Sequence, residues 1–85
     1  MRRIVDMAAE FVPATERVFG VPPRVLDGSR AVLVGDLKLS LEAGERELWL
    51  IRMHSLALEE RLAMVEVRGS IEKALAEAKE VARAS

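Results

Sequence analysis

Apolar side chains at Ile4, Val5, Ala8, Phe11, Val12, Val18 and Phe19 follow the three-to-four-residue spacing of one helix face. Pro13 falls inside that stripe, where a missing amide donor and a clash with the carbonyl four residues earlier oppose an unbroken helix. Two solutions follow. Either a helix over 3–11 precedes a short one starting at Pro13, or residues 3–11 form a strand with Val5, Met7, Ala9 and Phe11 on one face. The helix formers Met7-Ala8-Ala9-Glu10 and the imperfect alternation favour the helical solution. In both, Pro13 suits a first helical turn and Gly20 is placed to end that helix. Val21-Pro22-Pro23 is then a stiff extended connector, and Asp27-Gly28-Ser29 is a turn.

From residue 31 the period changes to two. Ala31, Leu33, Leu37, Leu39 and Leu41 alternate with polar Asp36, Lys38, Ser40 and Glu42, which predicts a strand over 31–41 with one wet face. Val32 and Val34 interrupt the polar side, as if that end were covered on both faces, and Gly35 suggests a bulge or a close approach. A loop around Ala43-Gly44 leads to a return strand over 46–53, completing a hairpin 31–41/46–53. In the return strand Trp49, Ile51 and Met53 share one face and Leu48 and Leu50 the other.

Residues 54–68 mix strong helix formers with the alternation of Ala63, Val65 and Val67. A third strand over 62–68, then Gly69 and an N-capping Ser70 opening a helix over 70–84, is the preferred reading. One long helix from about 56 to 84 competes with it, at the cost of an internal Gly69. The last helix carries Ile71, Ala74, Leu75, Ala78 and Ala82 on one face, and small residues there allow close approach. The fold expected is α+β: a small antiparallel sheet with an N-terminal helical segment and a C-terminal helix, in a single domain spanning 1–85.

Composition adds a limit on the core. Of 85 residues 51% are apolar, but 12 are Ala and only Phe11, Phe19 and Trp49 are aromatic. A chain this short buries roughly 60–65% of its unfolded surface, and many such chains gain stability from a partner subunit. There is no Cys, Asn, Gln or Tyr, and Arg outnumbers Lys ten to three, a composition that points to a thermophile. Without Cys there is no disulfide framework and no thiolate nucleophile. The net charge of −1 provides no bulk attraction to nucleic acid or anionic membrane. No apolar run exceeds four residues, so neither a signal peptide nor a membrane span is expected, and the cytoplasm is the expected compartment.

Candidate chemistry is sparse. His54 beside Ser55, with Glu59 and Glu60 following, invites comparison with a triad, yet neighbouring residues of a strand point to opposite faces. No carboxylate spacing points to paired acid and base roles. One His supports a metal only with carboxylates, and neither phosphate-binding glycine pattern occurs. The expectation is therefore a protein that is not an enzyme and has no catalytic, cofactor-binding or metal residues and no cofactor.

With Gly69-Ser70 opening a helix that contains Ala74 and Ala78, the helix, three-strand, helix order resembles a double-stranded-RNA-binding domain. The phosphate-binding cluster implied by that resemblance falls on Ser70-Ile71-Glu72-Lys73, where only Lys73 is basic. With 3–11 read as a strand, the order is similar to the small dimerising subunit of the archaeal tRNA threonylcarbamoyl complex. The pieces that match are Phe11-Val12-Pro13-Ala14-Thr15-Glu16 and Val67-Arg68-Gly69-Ser70-Ile71, which together make no family assignment.

The function expected is protein–protein interaction, as a homodimer, a higher homo-oligomer or an accessory subunit. The interface candidates are Trp49, Ile51, Met53, Leu48, Leu50, Ile71, Ala74 and Ala78, since Trp and Met are enriched at interfaces. An RNA- or DNA-binding module using Arg2, Arg3, Arg17, Arg24 and Arg30 is the alternative, because five of thirteen basic residues lie in the first thirty positions. An accessory dimerising subunit of a tRNA-modifying complex is a further one.

Overall fold

Helix α1, Ile4–Phe19, continues unbroken through Pro13, where two shorter helices were expected. The computed structural model describes residues 4–84, with the backbone alone at positions 4, 5 and 47. Pro13 is exposed, while Met7, Phe11, Ala14 and Thr15 on the opposite side are buried. A break at Pro13 would swing Ala14 and Thr15 out of the stripe that Met7 and Phe11 begin. The Thr15 hydroxyl also donates to the Phe11 carbonyl at 2.7 Å, bonding across the turn that holds the proline. Gly20 ends the helix at φ +77°, donating its amide to Glu16 O at 2.8 Å. The strand reading of 3–11 is thereby overturned, and the element order shared with the tRNA threonylcarbamoyl subunit goes with it.

Five strands follow: β1 (Arg24–Leu26), β2 (Ala31–Val34), β3 (Leu37–Ala43), β4 (Trp49–Ser55) and β5 (Glu60–Glu66). They form one antiparallel sheet in the order β1-β2-β3-β4-β5. The single strand expected over 31–41 is two strands folded back at Gly35-Asp36, where Val34 pairs with Leu37 and Gly35 holds φ +58°. Glycine at the first position of a two-residue hairpin loop suits this positive φ. The fold also explains the interrupted alternation. Val32 and Val34 face the core before the turn and Leu37, Leu39 and Leu41 after it, because a two-residue turn exchanges even for odd positions. Ala31 and Leu33 consequently face away from the core. The return strand expected over 46–53 is β4 at 49–55, and the third strand expected over 62–68 is β5 at 60–66.

Between β4 and β5 the register slips at Met53/His54: Met53 pairs with Ala63, but His54 pairs with Arg61. Leu62 is the extra residue of this bulge and packs against the core. An unbroken register would have turned Arg61 inward; the bulge turns it to the side of His54.

Helix α2, Ile71–Ala84, starts where Ser70 predicted it, with Ser70 Oγ accepting from the Lys73 amide at 3.1 Å. The alternative of one long helix over 56–84 is excluded by β5. Both helices lie on the same side of the sheet, and one buried cluster joins Met7, Phe11 and Ala14 of α1, Leu39, Leu41, Ile51 and Met53 of the sheet, and Ile71, Leu75 and Ala78 of α2. The helices are tied at the surface by Arg17–Glu72 at 2.8 Å. Lys79 Nζ donates to Val18 O at 3.2 Å and lies 5.5 Å from the centre of the Phe19 ring, placing a cation at the C-terminal end of α1.

Candidate interaction surface

Because α1 and α2 cover one side of the sheet, the other side is open, and the strand register orders its side chains into three rows. The first row is Arg24, Leu33, Lys38, His54 and Arg61 across β1 to β5. The second is Leu26, Ala31, Ser40, Arg52 and Met64. The third is Glu42, Leu50 and Glu66 on β3, β4 and β5. One end of the face is thus basic and the other acidic, with Leu33, Leu50 and Met64 as apolar side chains among the charges and Ala31 buried beneath them. Arg52 Nη2 meets Glu42 Oε2 at 3.2 Å, and Arg68 pairs with Glu66, so both acids of the third row have a basic neighbour.

Leu48, Leu50 and Met64 floor a shallow hollow at the acidic end, rimmed by Glu45, Arg46, Glu66 and Arg68. Gly44 allows the chain to approach here: a Cβ on it would meet the Leu50 side chain at 2.9 Å. A second hollow lies between Leu26, Arg30, Ala31, Lys38 and Ser40. Met64 is 45% exposed although it stands in the middle row, a position where an isolated sheet gains nothing from a large thioether.

The expected interface residues divide sharply. Trp49, Ile51, Met53, Ile71, Ala74 and Ala78 are all buried in the chain's own core. Leu48 and Leu50 are half-buried and belong to the open side. Of the basic candidates, Arg2 and Arg3 lie outside the described residues, Arg17 sits on the helical side paired with Glu72, and Arg24 and Arg30 border the open face. Arg17, Arg24 and Arg30 do not form one N-terminal patch. The basic row instead runs on through Lys38 and Arg61, with His54 between them; none of the three is among the sequence's nucleic-acid candidates, because only the sheet register brings them together.

His54 and Ser55 point to opposite sides, as neighbours on a strand must. Ser55 is buried and donates to Asp36 Oδ2 at 2.7 Å, while its own oxygen accepts from the Leu58 amide at 3.1 Å. Asp36 also accepts from the Ala57 amide at 2.7 Å and, through its carbonyl, from the Leu56 amide at 3.0 Å. The β2–β3 turn thus holds the β4–β5 turn in place. Replacing Asp36 by Ala removes two hydrogen bonds to a carboxylate and leaves the proton of the buried Ser55 hydroxyl without its acceptor, and is expected to cost about 2 kcal/mol in chemical denaturation. A loss below about 0.5 kcal/mol would show the two turns to be independent.

Among the described residues no three His, Asp or Glu gather as a metal site, and no helix is long and apolar enough to cross a membrane. Comparison with family models, with curated proteins and with solved structures gives no match.

Proposed function

We propose that this chain is a non-enzymatic interaction protein, working through protein contact at the open face of its sheet as a homo-oligomeric assembly or an accessory subunit. The observation that carries this is the one-sided covering of the sheet. Helices bury one face, while the other presents Leu33, Leu48, Leu50 and Met64 among charges of both signs, the mixture of apolar centre and polar rim that protein interfaces use. A photo-reactive phenylalanine analogue at position 64 is expected to give protein adducts of one defined mass, identified by mass spectrometry, whereas the same probe at exposed Glu16 on α1 gives none. Absence of protein adducts from position 64 would overturn the proposal.

The row of Arg24, Lys38, His54 and Arg61 favours nucleic acid as the second reading. It is flanked within the same face by Glu42 and Glu66, and the chain has no net positive charge, so a phosphate backbone crossing the face would meet acids at its far end. Adducts from position 64 to RNA or DNA alone would select this reading instead.

A further inference from the structure

An open sheet face admits many occupants, and the order of charges on this one selects among them. We propose that the occupant is a second copy of the chain, laid face to face with its strands antiparallel to the first, about a twofold axis running along the row from Leu26 to Met64. This rests on the open face being the contact surface, and it names the partner.

Rotation about that axis keeps each strand over its own copy and exchanges the first row with the third. Lys38 of one chain then stands over Glu42 of the other, both on β3, and Arg61 stands over Glu66, both on β5. His54 covers Leu50. The twofold repeats each pair, giving four cross-chain ion pairs, and Met64 meets Met64 beside the axis. Arg52 also approaches its copy, with its charge already engaged by Glu42 at 3.2 Å. Packed sheets rotate relative to one another by about 30°, an offset the long Lys38 and Arg61 side chains can follow.

The competing symmetric arrangements fit worse. A twofold parallel to the strands leaves every row over itself, setting Arg24, Lys38 and Arg61 against the cations of their own row and Glu42 and Glu66 against the acids of theirs. Joining two sheets edge to edge is opposed by β5, whose edge carries Glu60, Arg61 and Glu66 and a bulge, and by the three-residue length of β1. The size is adequate: five strands about 4.8 Å apart and three rows about 7 Å apart give a face on the order of 450 Å² before side-chain relief is counted. Stable interfaces begin at about 600 Å² of accessible surface per partner, the same order as this face.

The chain has no cysteine, so single engineered thiols report contacts without background. Sedimentation velocity is run on the wild type, on K38E/R61E, on E42K/E66K and on their equimolar mixture, with far-UV circular dichroism to confirm the fold. The wild type is expected to dimerise and each double variant to dimerise at least about tenfold more weakly, since each then sets like charges over like. The mixture is expected to recover the dimer. With a short bismaleimide, Ser40→Cys is expected to cross-link to itself, and Lys38→Cys to cross-link only with Glu42→Cys. A wild type that stays monomeric at about 200 µM, double variants that are folded and dimerise like the wild type, or self-cross-linking of Lys38→Cys would overturn the proposal. The thiol results decide it if a charge variant fails to fold. A monomer that nevertheless gives protein adducts from position 64 removes the second copy and leaves the contact surface standing; a monomer without adducts removes both.

Discussion

Phe11→Ala is expected to lower stability by about 4 kcal/mol, close to all that a domain of this size has in reserve. Phe11 is completely buried in the cluster that joins α1, the sheet and α2, and it is the largest fully buried side chain. Several residues of that cluster are small: Ala14, Ala63, Ala74 and Ala78. Alanines cannot expand to fill the vacancy, so the cavity term adds to the lost transfer energy. Thermal melting followed by circular dichroism should show the midpoint falling by about 20 °C, or no folded state at ambient temperature. A loss below about 1.5 kcal/mol would mean that α1 is not seated through Phe11.

Trp49→Ala separates a core role from an interface role. At 7% exposure, on the core face of β4 beside Ile51, Trp49 is part of the folding unit. Its loss is expected to cost about 3 to 4 kcal/mol, by the same amount at every protein concentration. Had Trp49 been an interface anchor, the deficit would appear as weakened association and would vary with concentration. Leu50→Ala, one residue along and on the open side, is the natural contrast. It should leave monomer stability within about 1 kcal/mol and act on association. Denaturant titrations at two protein concentrations distinguish the outcomes, and a concentration-dependent deficit for Trp49→Ala would contradict its place in the core.

These two residues also mark how far the sequence was legible. The α+β class, the C-terminal helix and its Ser70 cap follow from period and capping chemistry, which are local. The unbroken α1 does not, because the preference of Pro13 for a helix start is outweighed by a buried stripe seen only once the sheet is in place. The turn at Gly35-Asp36 was masked by Leu33 and Leu37, four residues apart and both apolar, which imitate a continuing strand. The parity change at Val32 and Val34 was its trace. The contact surface was the least legible. Lys38, His54 and Arg61 lie on three strands, and Arg61 joins them only through the bulge at Leu62. Apolarity alone pointed to Trp49 and Met53, and the fold encloses both.

Dilution of the labelled chain followed by amide chemical shifts puts the open face itself to the test. Between high and low concentration, the amides of 38–42, 50–54 and 61–66 should shift together with a common dissociation constant, while those on the exposed sides of α1 and α2 stay still. Shifts confined to the helices, or none at any concentration, would contradict self-association through the open face.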